Sequence, residues 1–317
     1  MTRLAALVKA GEPRANGRVA VDIEGRELVL SNLDKVLYPK AGFTKGDVID
    51  YYLRVAPTML THLRGRPVTR KRYPNGVDEA FFFEKNAPAH RPEWVETVTI
   101  PAKDRPVSYV VCSDTATLVW LANLAALELH TNLGSAEHPE TPQYVVFDLD
   151  PGPDTSIVEC CRVALLLRDM FKRLKLESVA KTSGSKGLQL YIPLNDPGAT
   201  YGDTRTFAKT VAELWEREAP DLVVSKMTKA IRGGKVLIDW SQNNQVKTTV
   251  CVYSLRAREQ PTVSTPVTWR EVIACERAES PEQLRFTFAD VLGRLGRRGD
   301  LFADAATAKQ SLPDLSG

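Results

Sequence analysis

A chain of 317 residues, 43% hydrophobic and 26% charged, describes an ordinary globular protein with material for one large domain or two moderate ones. The net charge of +3 excludes a polycation whose bulk charge alone announces a polyanion partner, so any basic surface must be local. Five cysteines, an odd number without paired short spacing, exclude a disulfide framework and a zinc motif.

Residues 1–18, rich in Ala, Gly, Arg and Lys, are expected as a loose N-terminal tail. A hairpin follows over Val19–Leu30 with Glu24-Gly25 at its turn. Thr44 and Asp47 have capping-box spacing before a helix with Val48, Ile49, Tyr52, Val55, Ala56, Met59 and Leu63 on one side, ended by Gly65. Lys45 falls in the first turn, where the helix dipole disfavours a cation by ~0.3–1 kcal/mol and favours a bound anion. Arg64, Arg66, Arg70, Lys71 and Arg72 make a local basic run of the kind that follows a phosphate backbone, or simply a solvated face.

Pro67–Tyr73 reads as a strand, Asn75-Gly76 as a turn, and Phe81–Lys85 as a second strand. Three successive aromatics send rings to both faces, which suits either a doubly covered core strand or a stacking platform beside the basic run. Strands near Val95–Ile100 and Val107–Cys112 precede a helix capped by Asp114 and running to about Leu129. His130 then stands at its C-terminal end, a favourable place for an imidazolium.

In the second half Tyr144–Asp150 reads as a buried strand stopped by Pro151-Gly152, Ser156–Lys175 as a helix, and Ser178–Lys181 and Leu188–Leu194 as strands around Thr182–Gly187. A helix over Asp203–Ala219 leads to the strand Lys235–Ile238. The order β-α-β-β-α-β predicts an α+β fold, an antiparallel-rich sheet with helices on one face. Beyond Trp269 the chain turns polar and helical, and 301–317 is expected as a mobile C-terminal tail. Cys112, Cys160, Cys161, Cys251 and Cys275 are read as reduced core residues. With no signal peptide and no run near ~20 apolar residues, a cytoplasmic protein without a membrane partner is expected.

Because strand side chains alternate, Asp148 and Asp150 point to one face while Leu149 points to the other. Two adjacent carboxylates raise each other's energy unless a cation lies between them, so the pair is a natural divalent-metal site, or merely an acidic strand end. Ser183-Gly184-Ser185-Lys186-Gly187 offers close backbone approach, hydroxyls and an ammonium to phosphate oxygens, although its spacing is not that of a Walker loop. Asp239 ends another apolar strand as Asp150 does. Lys226, Lys229, Arg232 and Lys235 supply four cations in ten residues, and Gln242, Lys247 and Arg256 follow. Three acids ringed by cations are costly as a structural network and make sense around metal-bound triphosphate.

Phe147–Pro151, Thr182–Leu188 and Met227–Asn243 together resemble the three motifs of the archaeo-eukaryotic primase superfamily. The nearest resemblance is to the polymerase domain of bacterial DNA ligase D, the end-joining enzyme, and its stand-alone actinobacterial primase-polymerase relatives. It implies a primase-polymerase fold with mixed, mainly antiparallel sheets, flanking helices and an RRM-like catalytic core. The catalytic domain would span 19–300, with a DNA-end-contacting part at 19–140 and the core at 141–260. By this resemblance Asp148, Asp150 and Asp239 are catalytic metal ligands for two Mn2+ or Mg2+ ions. His130, Ser183, Lys186, Arg232, Gln242 and Arg256 bind the incoming nucleoside triphosphate. Asn32, Lys35 and Lys45 grip the 5′-phosphate of a DNA end, and Phe82 and Phe83 stack at the template. Many relatives carry His where this chain has Gln189, which donates a hydrogen bond but carries no charge.

The reading is a DNA-directed nucleotidyltransferase, with ribonucleotides preferred over deoxyribonucleotides, acting on 5′-phosphorylated ends or gaps in double-strand-break repair. Ku and a separate ATP-dependent DNA ligase are the protein partners the family implies, and nucleoid association the location. A non-catalytic DNA-end-binding module and a haloacid-dehalogenase-like phosphatase are the alternatives. Of these, the phosphatase motif carries Thr or Val where Gly152 stands.

Overall fold

The computed structural model describes residues 2–101 and 105–313. The chain forms two compact units: Met1–Thr131 with Tyr253–Thr262 and Thr287–Arg297, and Asn132–Val252 with Val263–Phe286 and Arg298–Gly317. Two later segments thus return to the first unit, which no division into consecutive stretches captures.

In the first unit the expected loose tail is instead ordered. Helix α1 (Arg3–Ala10) is capped by Thr2, and the amide of Leu4 donates to Asp50 Oδ1 at 3.0 Å. Strand β1 (Glu12–Arg14) then pairs with β2 (Arg18–Ile23), itself in a hairpin with β3 (Arg26–Leu30). The short pair β4 (Val36–Tyr38) and β5 (Phe43–Thr44) leads into α2 (Lys45–Leu63). The Thr44–Asp47 capping box forms as its spacing predicts, and Val48, Ile49, Tyr52, Val55, Ala56, Met59 and Leu63 are buried.

A sheet follows from β6 (Pro67–Arg72), β7 (Phe82–Glu84), β8 (Thr97–Ile100) and β9 (Val107–Val111). Helix α3 (Thr115–Asn123) stops well short of Leu129. Ala125 takes a left-handed φ of 56°, and the chain re-emerges as strand β10 (Ala126–Thr131), antiparallel to β6. Leu127 and Leu129 are buried on one side while Glu128 and His130 share the other, a period of two that a helix reading overlooks. His130 therefore lies on a strand and not at a helix end.

The second unit has the expected order. Strands β11 (Tyr144–Pro151), β12 (Val179–Thr182), β13 (Leu188–Pro193), β14 (Val223–Val224) and β15 (Val236–Asp239) align as β14-β15-β11-β13-β12, with Pro266–Val267 beyond β12. Only β14 and β15 run parallel. Helices α4 (Ile157–Arg173), α5 (Tyr201–Glu218) and α6 (Trp269–Ala278) cover the face from which Phe147, Leu149, Leu188, Leu190, Val236 and Ile238 project. The opposite, alternating positions carry the polar residues.

Of the expected C-terminal tail, residues 314–317 lie outside the described residues. Before them Ala303–Thr307 is a helix, and Gln310 donates to the carbonyls of Glu177 and Pro193. All five cysteines are buried and free, as their spacing suggested. Among the described residues no helix is long and apolar enough to cross a membrane.

Candidate active site

Register in the second unit places four polar side chains in one row across four strands. Lys181 on β12 pairs with Gln189 on β13, Gln189 with Asp148 on β11, and Asp148 with Asp239 on β15. Directly opposed residues of antiparallel strands share a face, and Asp150, two positions on, shares it with Asp148. The three acids therefore share the face of this sheet opposite its helices.

The electrostatic consequence falls on Asp148. Poor solvation first, then the charges of Asp150 and Asp239, push its carboxyl up to about 7, against a hydrogen bond from Gln189 and the charge of Lys181. Three hard carboxylate donors without thiol or imidazole suit a divalent Mg2+- or Mn2+-like cation. Among the described residues no three acidic, imidazole or thiol side chains are gathered into a preformed metal cage. Asp239 is almost fully buried. Its Oδ1 accepts from the amide and hydroxyl of Ser241 and its Oδ2 from Gln242 Nε2 at 2.7 Å. The residues fit a divalent cation, with Asp239 engaged by its own turn.

Two loops close on this strand, each at a glycine. A Cβ at Gly187 would lie 2.2 Å from the carbonyl oxygen of Leu149, so the Ser183–Gly187 loop rests on the backbone between the two acids. A Cβ at Gly152 would lie 1.9 Å from the carbonyl oxygen of Arg232, and Gly152 also donates to the Lys235 carbonyl at 2.9 Å. The basic segment is thereby pressed against the end of the acid-bearing strand. In the first loop Ser183 Oγ accepts from the amides of Ser185 and Gly187, while Lys186 is exposed. In the second, Arg232 Nε is buried without a hydrogen-bond partner among the described residues, a donor awaiting an acceptor. Gln242, expected at the nucleotide, donates to Asp239. Asn243 was not anticipated: its amide accepts from and donates to the Val146 backbone, both at 2.8 Å, continuing the pairing of β11 past Asp239.

The first unit holds the remaining expected residues, in two groups. On one face of its sheet Glu128, Lys71 and Phe83 align across β10, β6 and β7. The buried Glu128 meets His130 Nε2 at 3.0 Å, Arg256 Nε at 3.3 Å and Lys71 Nζ at 3.7 Å. Burial pushes the Glu128 carboxyl up, but the His130 hydrogen bond and the Arg256 charge win and hold it well below the usual carboxylate range. Burial moves His130 the other way, below its ordinary value, with Glu128 opposing. One carboxylate thus organises His130 and Arg256, and reading residues 114–129 as one helix hid it.

Phe81, Phe82 and Phe83 are exposed at 50%, 44% and 59%, which sets aside the covered-core reading of this segment. Phe83 lies 6.0 Å from the His130 ring, whereas Phe82 pairs with Arg72 in register and carries its guanidinium 5.2 Å from its ring. The two rings therefore serve opposite faces.

The other group surrounds the N-terminus of α2. Asn32, at a φ of 52°, turns the chain so that Lys45 Nζ donates to the carbonyl and hydroxyl of Ser31, at 2.7 and 3.3 Å. Lys35 Nζ donates to Asn75 Oδ1 at 2.9 Å. Burial, then the charges of Lys35 and Arg72, pull the Lys45 ammonium down to about 8. Lys35 and Arg72 thus act on the charge of Lys45, and Arg72, read above as part of the basic run, was not among the residues expected at the 5′-phosphate.

Paired strand-end carboxylates, a hydroxyl- and glycine-rich loop and a basic segment are the kinds of groups that metal-assisted chemistry on a polyphosphate uses. The chain belongs to the LigD primase-polymerase domain family, whose model matches residues 44–302. It is therefore a member of a family of nucleotidyl-transferring enzymes, which sets aside the haloacid-dehalogenase-like alternative. It is 43% identical over 298 residues to the multifunctional non-homologous end joining protein LigD of Mycolicibacterium smegmatis, covering 90% of this chain and 38% of that protein. The bifunctional non-homologous end joining protein LigD of Bacillus subtilis is 33% identical over 287 residues, covering 90% of this chain and 45% of that protein. The chain thus spans less than half the length of these curated relatives. Among solved structures, the polymerase domain from Mycobacterium tuberculosis ligase D in complex with DNA superposes with a TM-score of 0.82 at 39% identity, covering 89% of this chain and 99% of that one.

Proposed function

We propose that this chain is a DNA-directed nucleotidyltransferase that adds nucleotides, ribonucleotides preferentially, at 5′-phosphorylated DNA ends or gaps during double-strand-break repair. The observation that carries the reading is the row in which Asp148 pairs with Asp239 and shares its face with Asp150. These acids would hold two divalent cations, Mn2+ by preference, which when bound acidify the primer 3′-hydroxyl and offset charge on the departing pyrophosphate.

The chain's own residues bind and orient. Lys186 and Arg232 approach the acid strand on their loops and offset the charge of the triphosphate, with Ser183 fixing the loop backbone that cradles it. His130 and Arg256, held by Glu128, are the further nucleotide contacts, and Gln242 acts by orienting Asp239. Asn32, Lys35 and Lys45 receive the 5′-phosphate, and Phe82 and Phe83 stack on template bases. Ku and an ATP-dependent DNA ligase activity complete the joining, and the chain works at the nucleoid.

Extension assays on gapped, overhanging and unprimed DNA, with ribo- and deoxyribonucleotides and with Mn2+ or Mg2+, test this directly. Incorporation is expected on gaps and overhangs, strongest with ribonucleotides and Mn2+. Binding of 5′-phosphorylated ends with no incorporation in any arm would leave the end-binding module as the correct reading.

A further inference from the structure

The row of paired residues does not end at the acids. Lys181 is 1% exposed, and its three ammonium N–H donors meet Gln189 Oε1 at 2.5 Å, Ser264 Oγ at 2.8 Å and the Val250 carbonyl at 3.0 Å. The Tyr191 ring lies 5.4 Å from the same nitrogen. A charge so deeply buried is costly unless its surroundings use it, and its neighbour in register is Gln189.

A glutamine amide has one accepting and one donating end, and it can flip between them. With Lys181 donating to Oε1, the flip is decided: the donating Nε2 end is left for the next residue in the row, Asp148, which pairs with Gln189 in register. Without the ammonium the flipped amide would set its oxygen against the carboxylate.

We propose that Lys181 is a positioning residue of the acid site, fixing through the Gln189 amide the orientation in which Asp148 meets a divalent cation. The inference rests on the acid-site reading above and deepens it. Residues that orient a metal's ligands through hydrogen bonds typically govern affinity by 10–100-fold. Gln189 thus becomes half of a lysine–glutamine pair.

The test is Mn2+ binding to the full chain, followed by electron paramagnetic resonance of the free ion, with thermal melts of each variant without metal. Lys181→Met and Gln189→Leu are each expected to weaken Mn2+ binding by roughly 10–100-fold. The double variant should bind no more weakly than the worse single one, because the two act in one chain of contacts. Lowered melting temperatures with Mn2+ affinity within about twofold of wild type would show a purely structural pair and overturn the inference. If Lys181→Met fails to fold, Gln189→Leu decides alone: unchanged affinity overturns, a comparable loss supports. Wild-type Mn2+ binding that is indifferent to Asp148→Ala would contradict the acid site itself, and this inference with it.

Discussion

Asp148 and Asp239 stand opposite each other in an antiparallel pair, and poor solvation with the charges of Asp150 and Asp239 pushes the Asp148 carboxyl up. Asp239 is satisfied by Ser241 and Gln242 within its own turn. The unfavourable charge of the cluster is therefore concentrated on one carboxyl, where a cation or a proton relieves it.

Asp148 should make the metal-free protein pH-sensitive. Its carboxyl is raised from 3.8 to about 7, so between those values the folded chain holds a proton that the unfolded chain has released. Stability then falls as pH rises through this window and levels off above it. Asp148→Asn removes the effect. In EDTA it should be more stable than wild type by roughly 1–3 kcal/mol at pH 8, the difference vanishing near pH 4. Urea titrations at the two pH values measure it, and a difference independent of pH would contradict the assignment.

Gly152 carries the contact between the acid strand and the basic segment. Gly152→Ala forces a methyl into the Arg232 carbonyl oxygen, and because backbone must move, a loss of about 1–3 kcal/mol is expected. Arg232 and Lys235 would shift with it, so extension should fall further than stability does. Chemical denaturation with extension kinetics on the same sample separates the two, and full activity would show that the close approach is dispensable.

Glu128→Gln leaves Lys71 and Arg256 facing each other and His130 without its anion. Breaking a buried charge group in this way is expected to cost ~3–5 kcal/mol. The His130 imidazole, already below its ordinary value and now without Glu128 to raise it, should titrate lower still. Nuclear magnetic resonance titration of the imidazole reads this, and an upward shift would refute the arrangement.

These relationships were unevenly legible in the sequence. Phe147-Asp148-Leu149-Asp150 declares its strand and the common face of its acids because alternation is a local property. The Asp148–Asp239 and Lys181–Gln189 pairings are matters of register between distant segments, which no local pattern encodes. Strand β10 was lost because Leu127 and Leu129 extend the apolar run of α3 and the turn between them is made by Ala125 without a glycine or proline to mark it. Helix α1 was lost because its eight residues gain their stability from α2 and not from their own propensity.

Lys45→Met should remove the preference for phosphorylated ends. Buried against Ser31 with Lys35 and Arg72 nearby, Lys45 contributes fixed charge at the head of α2. Binding to a 5′-phosphorylated duplex should weaken about tenfold while binding to the 5′-hydroxyl duplex changes little, and the salt slope for the former should fall by about one. Fluorescence anisotropy over a salt series measures both. Equal weakening for the two duplexes would place the 5′-phosphate elsewhere.

The most direct measurement is primer extension on a gapped, 5′-phosphorylated duplex by wild type and by the double variant Asp148→Ala, Asp150→Ala, with duplex binding recorded alongside. The acid site predicts incorporation by wild type and none by the variant, with end binding retained. Incorporation by the variant at the wild-type rate would contradict it.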